Sequence, residues 1–220
     1  YNFPSNPTGA TLTPNQRDEL LEFAKRHQLW IITDEVYDRI VYDVEHVSFL
    51  GTGYERTLMI NSFSKTFAMT GWRIGYICSP NLEAMSQIIK MQYYITACSN
   101  DAMQYAVLTA FDEASTYPEE MAKEFQARRD LICSRLNSMP GVSCHIPKGA
   151  FYVFPKVEVP GMNSQELAIE LLKGGVLSSP GSAFGDSGEG HLRFAYTVSR
   201  EDISRGMDKV ESVLKQLRGD

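Results

Sequence analysis

The sequence has no long apolar run, no cluster of basic residues and few cysteines. No apolar stretch approaches the roughly 20 residues that a membrane-spanning helix needs, and the first residues do not have the pattern of a signal peptide. The net charge is −6 over 220 residues, and no run of Lys or Arg offsets it, which argues against a nucleic-acid-binding surface. We therefore expect a cytoplasmic protein with neither a membrane nor a nucleic-acid partner.

Cysteine and histidine are also scarce, with four of each. None of the cysteines forms a Cys-x-x-Cys pair, and they lie far apart in the sequence: Cys78, Cys98, Cys133 and Cys144. Such a pattern is typical of buried thiols in a reducing compartment, with a disulfide pair as the alternative. The histidines lack the spacing of metal ligands, so we expect no metal site.

The composition that is present is ordinary for a globular protein. The chain is 43% hydrophobic and 22% charged, which is enough to build one large domain or two smaller ones. The first residue is Tyr1 rather than Met, and residues 1–7 are typical of a loop that leaves a strand. We expect a fragment of a longer protein, with an N-terminal portion outside this sequence.

Helix signals recur along the chain. The first is a capping box in which Thr13 caps, Pro14 takes the first helical position and Gln16 pairs back to the cap. Further helices are predicted at about 81–97, 100–114, 118–138 and 164–173, and after Ser199. The last helix carries one apolar face, which consists of Ile203, Met207, Val210 and Leu214.

Strand signals divide the chain into two parts. In the first part the apolar run 29–32 predicts a buried strand ending at Asp34, and residues 57–62 and 73–78 predict two more. Strands that alternate with helices favour a parallel sheet, whose sites form at the carboxyl ends of the strands. Asp34 and Lys65 both follow such ends, so we expect them to lie near each other.

From residue 141 onward the strand signals are shorter. They fall at 142–146, 150–154, 175–177 and 191–196. We therefore predict the α/β class with two domains: residues 1–125 with a mainly parallel sheet, and residues 126–220 as a smaller α+β domain.

Lys65 has the most informative surroundings in the chain. It follows Ser62 and Ser64 within three positions and precedes Arg73 by eight, with glycines on both sides of the arginine. A lysine among hydroxyls, glycines and an arginine is well placed to hold a phosphorylated cofactor and to form a Schiff base with its aldehyde. Taken alone, Lys65 could equally be a surface lysine at the end of a strand.

The complete set of motifs resembles one family, the class I/II aminotransferases of fold type I, which use pyridoxal phosphate. The features occur in the family's order and spacing: Asn6-Pro7-Thr8-Gly9, Asp34-Glu35-Val36-Tyr37, Ser62-Phe63-Ser64-Lys65, Arg73 and Arg193. The resemblance covers essentially all 220 residues but only about the C-terminal half or more of such an enzyme. It implies that residues 1–125 are the C-terminal part of a three-layer cofactor domain, and that the full-length protein is a homodimer.

The resemblance implies a role for each residue around the cofactor ring. Lys65 forms the Schiff base and then moves the substrate's proton, and Asp34 pairs with the pyridine nitrogen. Tyr37 and Asn6 hydrogen-bond the phenolic oxygen, and the bond between Asn6 and Pro7 is expected to be cis. From the residues alone, Asp34 could instead cap a helix and Tyr37 could be a packed aromatic side chain.

Anion binding is assigned to two arginines and two serines. On the resemblance, Ser62, Ser64 and Arg73 hold the cofactor's phosphate, a dianion that suits an arginine fork and hydroxyls. Arg193 lies in an otherwise apolar strand and needs an anionic partner, which the resemblance identifies as the α-carboxylate of the amino-acid substrate. Residues 180–185 resemble the mobile loop beside that pocket. A structural ion pair is the alternative for either arginine.

The predicted function is the transfer of an amino group between an amino acid and a 2-oxo acid. The sequences around Lys65 (Ser-Phe-Ser-Lys) and Arg73 (Met-Thr-Gly-Trp-Arg) most resemble those of the broad prokaryotic branch of aspartate aminotransferases. Two alternatives are a pyridoxal-phosphate lyase that catalyses β-elimination and the aminotransferase-like domain of a transcriptional regulator. Because the family also uses residues from before Asn6, we expect residues 1–220 alone to bind the cofactor poorly and to show little activity.

Overall fold

A computed structural model describes residues 1–219 of the chain. These residues fall into two compact units: residues 1–5 with 10–122, and residues 6–9 with the chain from Lys123 onward. The division therefore falls within a long helix, and the short segment 6–9 joins the second unit. The assignment of a cofactor domain to 1–125 and a small domain to 126–220 stays a prediction.

Seven helices and eight strands are present in the described residues. The helices are α1 (Pro14–Arg26), α2 (Phe63–Thr66), α3 (Leu82–Thr96), α4 (Asp101–Glu113), α5 (Tyr117–Asn137), α6 (Ser164–Lys173) and α7 (Arg200–Arg218). The strands are β1 (Ile31–Asp34), β2 (Thr57–Ser62), β3 (Gly75–Cys78), β4 (Val142–Ser143), β5 (Tyr152–Val153), β6 (Lys156–Val157), β7 (Ser179–Pro180) and β8 (Leu192–Ala195). This mixture of helices and strands confirms the predicted α/β class.

The first unit contains a three-stranded sheet in the order β1-β2-β3. β1 and β2 are parallel, with Asp34 in register with Ile60, as predicted from the alternation of strands with helices. The connection between them is long enough for the crossover that a parallel pair needs. β3 instead runs antiparallel to β2 and pairs Gly75 with Ser62. The connection between them contains only α2 and a short 3₁₀ turn, which is too compact for the crossover that a parallel pair needs.

Burial in β1 differs from the prediction of a continuously buried strand. Ile31 is 1% exposed and Thr33 is 2% exposed, whereas Ile32 between them is 52% exposed. The strand therefore alternates, with one face packed on a cluster that includes Leu21, Ala24 and Phe49. Side chains of successive strand residues point to opposite faces, so covering one face buries only every second residue.

The start of α1 is as predicted. The Thr13 side chain accepts a hydrogen bond from the Gln16 amide, and the Gln16 side chain accepts one from the Thr13 amide. Both bonds satisfy amide groups that the first turn of a helix leaves without partners.

The second unit contains two small antiparallel sheets, β4-β6 and β5-β8-β7. The strand predicted at 175–177 is wrong, because β7 lies at Ser179–Pro180. The backbone amides of Gly175 and Val176 donate to the carbonyls of Leu172 and Leu171 and so close the end of α6. A helix ended in this way uses the amides that a strand would need.

The apolar face predicted for the last helix is confirmed. Ile203, Met207, Val210 and Leu214 are all buried along α7. Their spacing places them on one stripe of the helix, which is the expected way for an amphipathic helix to pack on a core.

The prediction that the cysteines are buried thiols is only partly correct. Cys98 is exposed and Cys78 is half-buried. Cys133 and Cys144 are buried, but their Sγ atoms lie 4.0 Å apart. The hydrogen bond from Cys144 lowers the pKa of Cys133, and the same contact together with burial raises the pKa of Cys144. The turn after α5 brings these two thiols together, which their sequence spacing does not reveal.

None of the helices in residues 1–219 is both long enough and apolar enough to cross a bilayer. The described residues also contain no group of three or more His, Cys, Asp or Glu side chains arranged to hold a metal ion.

Candidate active site

The turn that carries Lys65 begins at the end of β2. Ser62 is the last residue of the strand and caps α2, since its hydroxyl accepts a hydrogen bond from the Ser64 amide at 3.1 Å. The same hydroxyl lies 2.9 Å from the Ser64 hydroxyl and 3.1 Å from the Ile74 carbonyl oxygen. Two hydroxyls are thus held together three residues and one residue before the lysine.

Asp34 is the last residue of the neighbouring parallel strand β1, and Tyr37 follows it. The Asp34 side chain is half-buried, and its carboxylate accepts a hydrogen bond from the Val36 amide at 3.2 Å. Tyr37 is 4% exposed, and the Lys65 Nζ lies 5.9 Å from the centre of its ring, within the range of a cation–π contact. The structure therefore brings the lysine turn and the Asp34–Tyr37 segment to the same edge of the sheet.

Arg73 lies on the exposed connection between α2 and β3. Its backbone is left-handed, with a φ of 55°, and its guanidinium donates to the Thr70 carbonyl at 2.9 Å. Among the described residues no carboxylate pairs with Arg73. The surface ion pair considered for this arginine is therefore not formed in this part of the chain, and its charge is available to an anion.

The other two predicted residues belong to the second unit and contact each other. The Arg193 guanidinium donates to the Asn6 side-chain oxygen at 2.8 Å and to the Ser179 hydroxyl at 3.1 Å. The peptide between Asn6 and Pro7 is cis, as predicted. Because a guanidinium only donates, the amide oxygen of Asn6 must face it, which leaves the amide nitrogen as the donor of that side chain.

Two aromatic rings enclose the Arg193 guanidinium. Its central carbon lies 4.7 Å from the centre of the Tyr152 ring and 5.0 Å from that of Phe184. Among residues 1–219 no carboxylate pairs with it either. Arg193 is expected to need an anionic partner. In the described structure its guanidinium is held only by neutral hydrogen-bond acceptors and by the faces of two aromatic rings.

The loop predicted beside this pocket is tied down at one end. Ser164 at the start of α6 donates to Glu189 through its amide at 2.6 Å and its hydroxyl at 2.9 Å, and its hydroxyl lies 3.1 Å from that of Ser182. Hydrogen bonds from the Gly190 and Ser164 amides lower the pKa of Glu189. These contacts hold the turn that carries Phe184.

The predicted residues thus form two groups. Asp34, Tyr37, Ser62, Ser64, Lys65 and Arg73 belong to the first unit, and Asn6 and Arg193 belong to the second. Their catalytic and binding roles stay predictions.

Sequence reasoning did not identify four residues that hold these groups in place. Ser179, Tyr152 and Phe184 surround Arg193, and Asn61 joins Ser62 to a neighbouring loop. Asn61 did carry a signal, since a polar side chain directly before the lysine motif in a buried strand needs a partner.

Asp38 is the partner of Asn61 and has an unusual environment. The Asn61 amide nitrogen donates to one Asp38 oxygen at 3.0 Å, while the other oxygen is buried without a hydrogen-bond partner in the described structure. Burial raises the pKa of Asp38, opposed by the Asn61 hydrogen bond and the nearby charges of His46 and Arg39. Burial and the Asp38 charge in turn raise the pKa of Tyr76.

The raised pKa makes a prediction about stability and pH. The fold favours the neutral form of Asp38, so its contribution to stability is complete below the ordinary pKa of 3.8 and is lost as the pH rises through the folded value. The side chain of Asp38→Asn does not titrate, so the variant does not lose this contribution. As the pH rises from acid to neutral, the free energy of unfolding of the variant should therefore increase relative to that of wild type. Urea unfolding at a series of pH values measures this difference, and parallel profiles for the two proteins would contradict it.

Comparison with known proteins identifies the fold and the family. The structure superposes on a crystal structure of aromatic aminotransferase from Pyrococcus horikoshii with a TM-score of 0.92 and 41% identity, over 98% of this chain and 59% of that one. It matches aspartate aminotransferase from Thermus thermophilus with maleate at a TM-score of 0.91 and 32% identity, over 97% of this chain and 56% of that one. The α/β architecture is therefore that of the aspartate aminotransferase fold.

The family model for aminotransferase class I and II matches residues 1–210, so the chain belongs to this family. Aromatic-amino-acid aminotransferase 2 of Thermococcus litoralis is 42% identical over 99% of this chain and 57% of its own length. Aspartate aminotransferase of Pyrococcus abyssi is 41% identical over 99% and 57%. The chain thus spans little more than half the length of these curated relatives.

Proposed function

We propose that the complete protein carrying this chain transfers an amino group between an amino acid and a 2-oxo acid, with pyridoxal 5′-phosphate as its cofactor. The observation that carries this proposal is the setting of Lys65. It follows the Ser62 cap directly after a strand, and its Nζ lies 5.9 Å from the centre of the Tyr37 ring. Membership of the class I and II aminotransferases supports the same conclusion.

The side chains in the first unit fit this cofactor in their chemistry. A phosphate dianion needs a cation and hydroxyl donors, a pyridinium nitrogen needs a carboxylate, and a phenolate oxygen needs a donor. The residues that would meet these needs are Arg73, Ser62 and Ser64 for the phosphate, Asp34 for the nitrogen, and Tyr37 for the oxygen. The absence of a carboxylate beside Arg73 within the described chain favours an anionic ligand there.

The cofactor, when bound, supplies an aldehyde and a ring that accepts electrons from the substrate's α-carbon. The protein's own task is then proton transfer and orientation. Lys65 Nζ would take the proton from the α-carbon and return it during the reaction, acting as the general base and then as the general acid. Asp34 keeps a proton on the ring nitrogen by accepting its hydrogen bond.

Arg193 would bind the α-carboxylate of the substrate. Asn6 and Ser179 each accept one hydrogen bond from its guanidinium, and the rings of Tyr152 and Phe184 fix its plane. A guanidinium oriented in this way can present its remaining N–H groups to a carboxylate as a fork. Asn6, oriented by the same contact, would donate its amide to the cofactor's phenolic oxygen.

Trapping and turnover together test this function. The complete protein is loaded with pyridoxal 5′-phosphate, reduced with borohydride and digested, and the pyridoxyl group is expected on the Lys65 peptide and not on that of Lys25. A panel of amino donors with a common 2-oxo acid acceptor should yield the donor's 2-oxo acid and the acceptor's amino acid in equal amounts. Ammonia release without an acceptor would indicate lyase chemistry instead, and trapping elsewhere would contradict the assignment.

We also propose that the complete protein is a cytoplasmic homodimer. The location rests on the acidic, ordinary composition and on cysteines that are unpaired as disulfides. The dimer is supported by apolar side chains exposed along α3 and α4, including Leu82, Ile89, Tyr94, Tyr105 and Leu108, since large apolar surfaces commonly mark interfaces. Analytical ultracentrifugation of the complete protein tests this, and a monomer at micromolar concentration would contradict it.

A further inference from the structure

A short chain of part-buried hydrogen bonds lies beneath the lysine turn. The Ser62 amide donates to the Asn61 side-chain oxygen at 2.7 Å, and the Asn61 amide nitrogen donates to Asp38 at 3.0 Å. Asn61 is 4% exposed. The three residues therefore form one connected path from the loop after β1 to the end of β2.

The chemistry of this path fixes the orientation of Asn61. The Ser62 amide can only donate, so the Asn61 oxygen must face it, and the Asn61 nitrogen must then face Asp38. A carboxyl group suits that point, because one of its oxygens can accept a hydrogen bond from the amide nitrogen whether or not the group is ionised. Without an acceptor at position 38, nothing in these two bonds would keep Asn61 from rotating away from Ser62.

Asp38 would lower the stability of the fold if its role were only structural. One of its oxygens is buried without a hydrogen-bond partner in the described structure, and burial raises its pKa. A buried carboxyl group with an unsatisfied oxygen lowers stability, and an apolar residue of similar volume would avoid that penalty. The group is better explained by what it orients.

What Asp38 orients is the cap of the Lys65 turn. Ser62 holds the Ser64 amide and lies beside the Ser64 hydroxyl, and both serines are assigned to the cofactor's phosphate in the proposed function. We propose that Asp38 is a positioning residue that, through Asn61, fixes Ser62 for binding of the phosphate group. This inference rests on the proposed function and extends it to two residues outside the predicted site.

A cavity next to this path makes the role of Asp38 hard to replace. The space measures about 260 Å³ and is lined by side chains that include Asp38, Ser62, Thr66 and Tyr76. A residue that cannot accept a hydrogen bond at position 38 therefore has open space beside it. In metal sites, loss of a group that orients a ligating side chain typically costs about 10–100-fold in affinity, and we expect a loss at the lower end of that range here.

The test compares two ligands that differ only in the phosphate. Dissociation constants for pyridoxal 5′-phosphate and for pyridoxal are measured by absorbance titration of the complete protein. In Asp38→Leu the preference for the phosphorylated ligand should fall by about tenfold, with pyridoxal affinity little changed. Asp38→Asn, which retains an acceptor oxygen, should keep most of the preference.

A matched control lies on the same strand. Thr57 is fully buried, and its hydroxyl has no partner in the described structure, so Thr57→Val perturbs β2 without touching the path and should leave the preference unchanged. If Asp38→Leu does not fold, Asn61→Leu serves instead, because its side chain can neither accept from the Ser62 amide nor donate to Asp38. That variant should show the same loss of preference.

The possible outcomes separate this inference from the proposed function. An equal loss of affinity for both ligands would show that Asp38 acts only on the general structure and would overturn the inference. Wild type that binds both ligands equally would also overturn it while leaving the lysine chemistry intact. Wild type that binds neither ligand would overturn the proposed function, and the inference with it.

Discussion

Lys65→Ala in the complete protein should abolish amino transfer. The substitution removes the amine that would bond to the cofactor and also the base that would move the substrate's proton. General acid–base catalysis alone is worth about 10²–10⁴-fold, so the combined loss in kcat should be about 10⁴-fold or greater. Lys25→Ala is the matched control, since Lys25 lies on the exposed face of α1 in an ion pair with Glu22 and should retain wild-type turnover.

Two further measurements make the Lys65 result specific. Added small primary amines should partly restore turnover in Lys65→Ala, because they can supply the missing base without the covalent bond. The variant should also keep measurable affinity for pyridoxal 5′-phosphate through its phosphate-binding residues. Turnover near that of wild type in Lys65→Ala would contradict the assignment of this lysine.

The reasons why much of the fold could be predicted are local. α1 begins where its capping box places it, and the buried stripe of α7 follows from apolar residues at helical spacing. In both cases the information lies within a few residues, and it does not depend on the rest of the chain.

The failures occurred where a neighbouring element decides the structure. The direction of β3 depends on how compactly the turn after Lys65 is folded. No strand forms at 175–177, because the backbone amides there donate to carbonyls at the end of α6. The contact between Cys133 and Cys144, for which the sequence left a pair open only as an alternative, arises from a chain reversal after a long helix. None of these follows from the residue pattern alone.

The candidate site shows the same division. Lys65 stands out in the sequence because hydroxyls, glycines and an arginine surround it. Arg193 stands out because a charged residue in an otherwise apolar strand needs a partner. The groups that hold them do not stand out: nothing in the pattern marks Ser179 at the start of β7 or Phe184 in the turn after it, and Asp38 is one of many acidic side chains. Only the fold shows that Asp38 is joined to Ser62 through a buried amide.

Arg193→Leu should reduce kcat/KM for amino-acid substrates by about 10²–10⁴-fold. The expected size follows from the loss of two charge-assisted hydrogen bonds to the α-carboxylate, each worth about 1.5–3 kcal/mol. Arg193→Lys should fall between Arg193→Leu and wild type, because an ammonium keeps the charge but loses the fork and the stacking on Tyr152 and Phe184. Arg26→Leu is the control, because Arg26 lies at an exposed position in the last turn of α1. This variant should keep the wild-type kcat/KM.

A substrate without the carboxylate shows whether Arg193 acts on that group. An amino acid and the amine formed by its decarboxylation share a side chain, so the ratio of their kcat/KM values reports the carboxylate contact alone. Wild type should strongly prefer the amino acid, and Arg193→Leu should lose most of that preference while its rate with the amine changes little. If both substrates lose activity equally, Arg193 supports the fold of the β5-β8-β7 sheet instead, and the carboxylate must be bound by another residue.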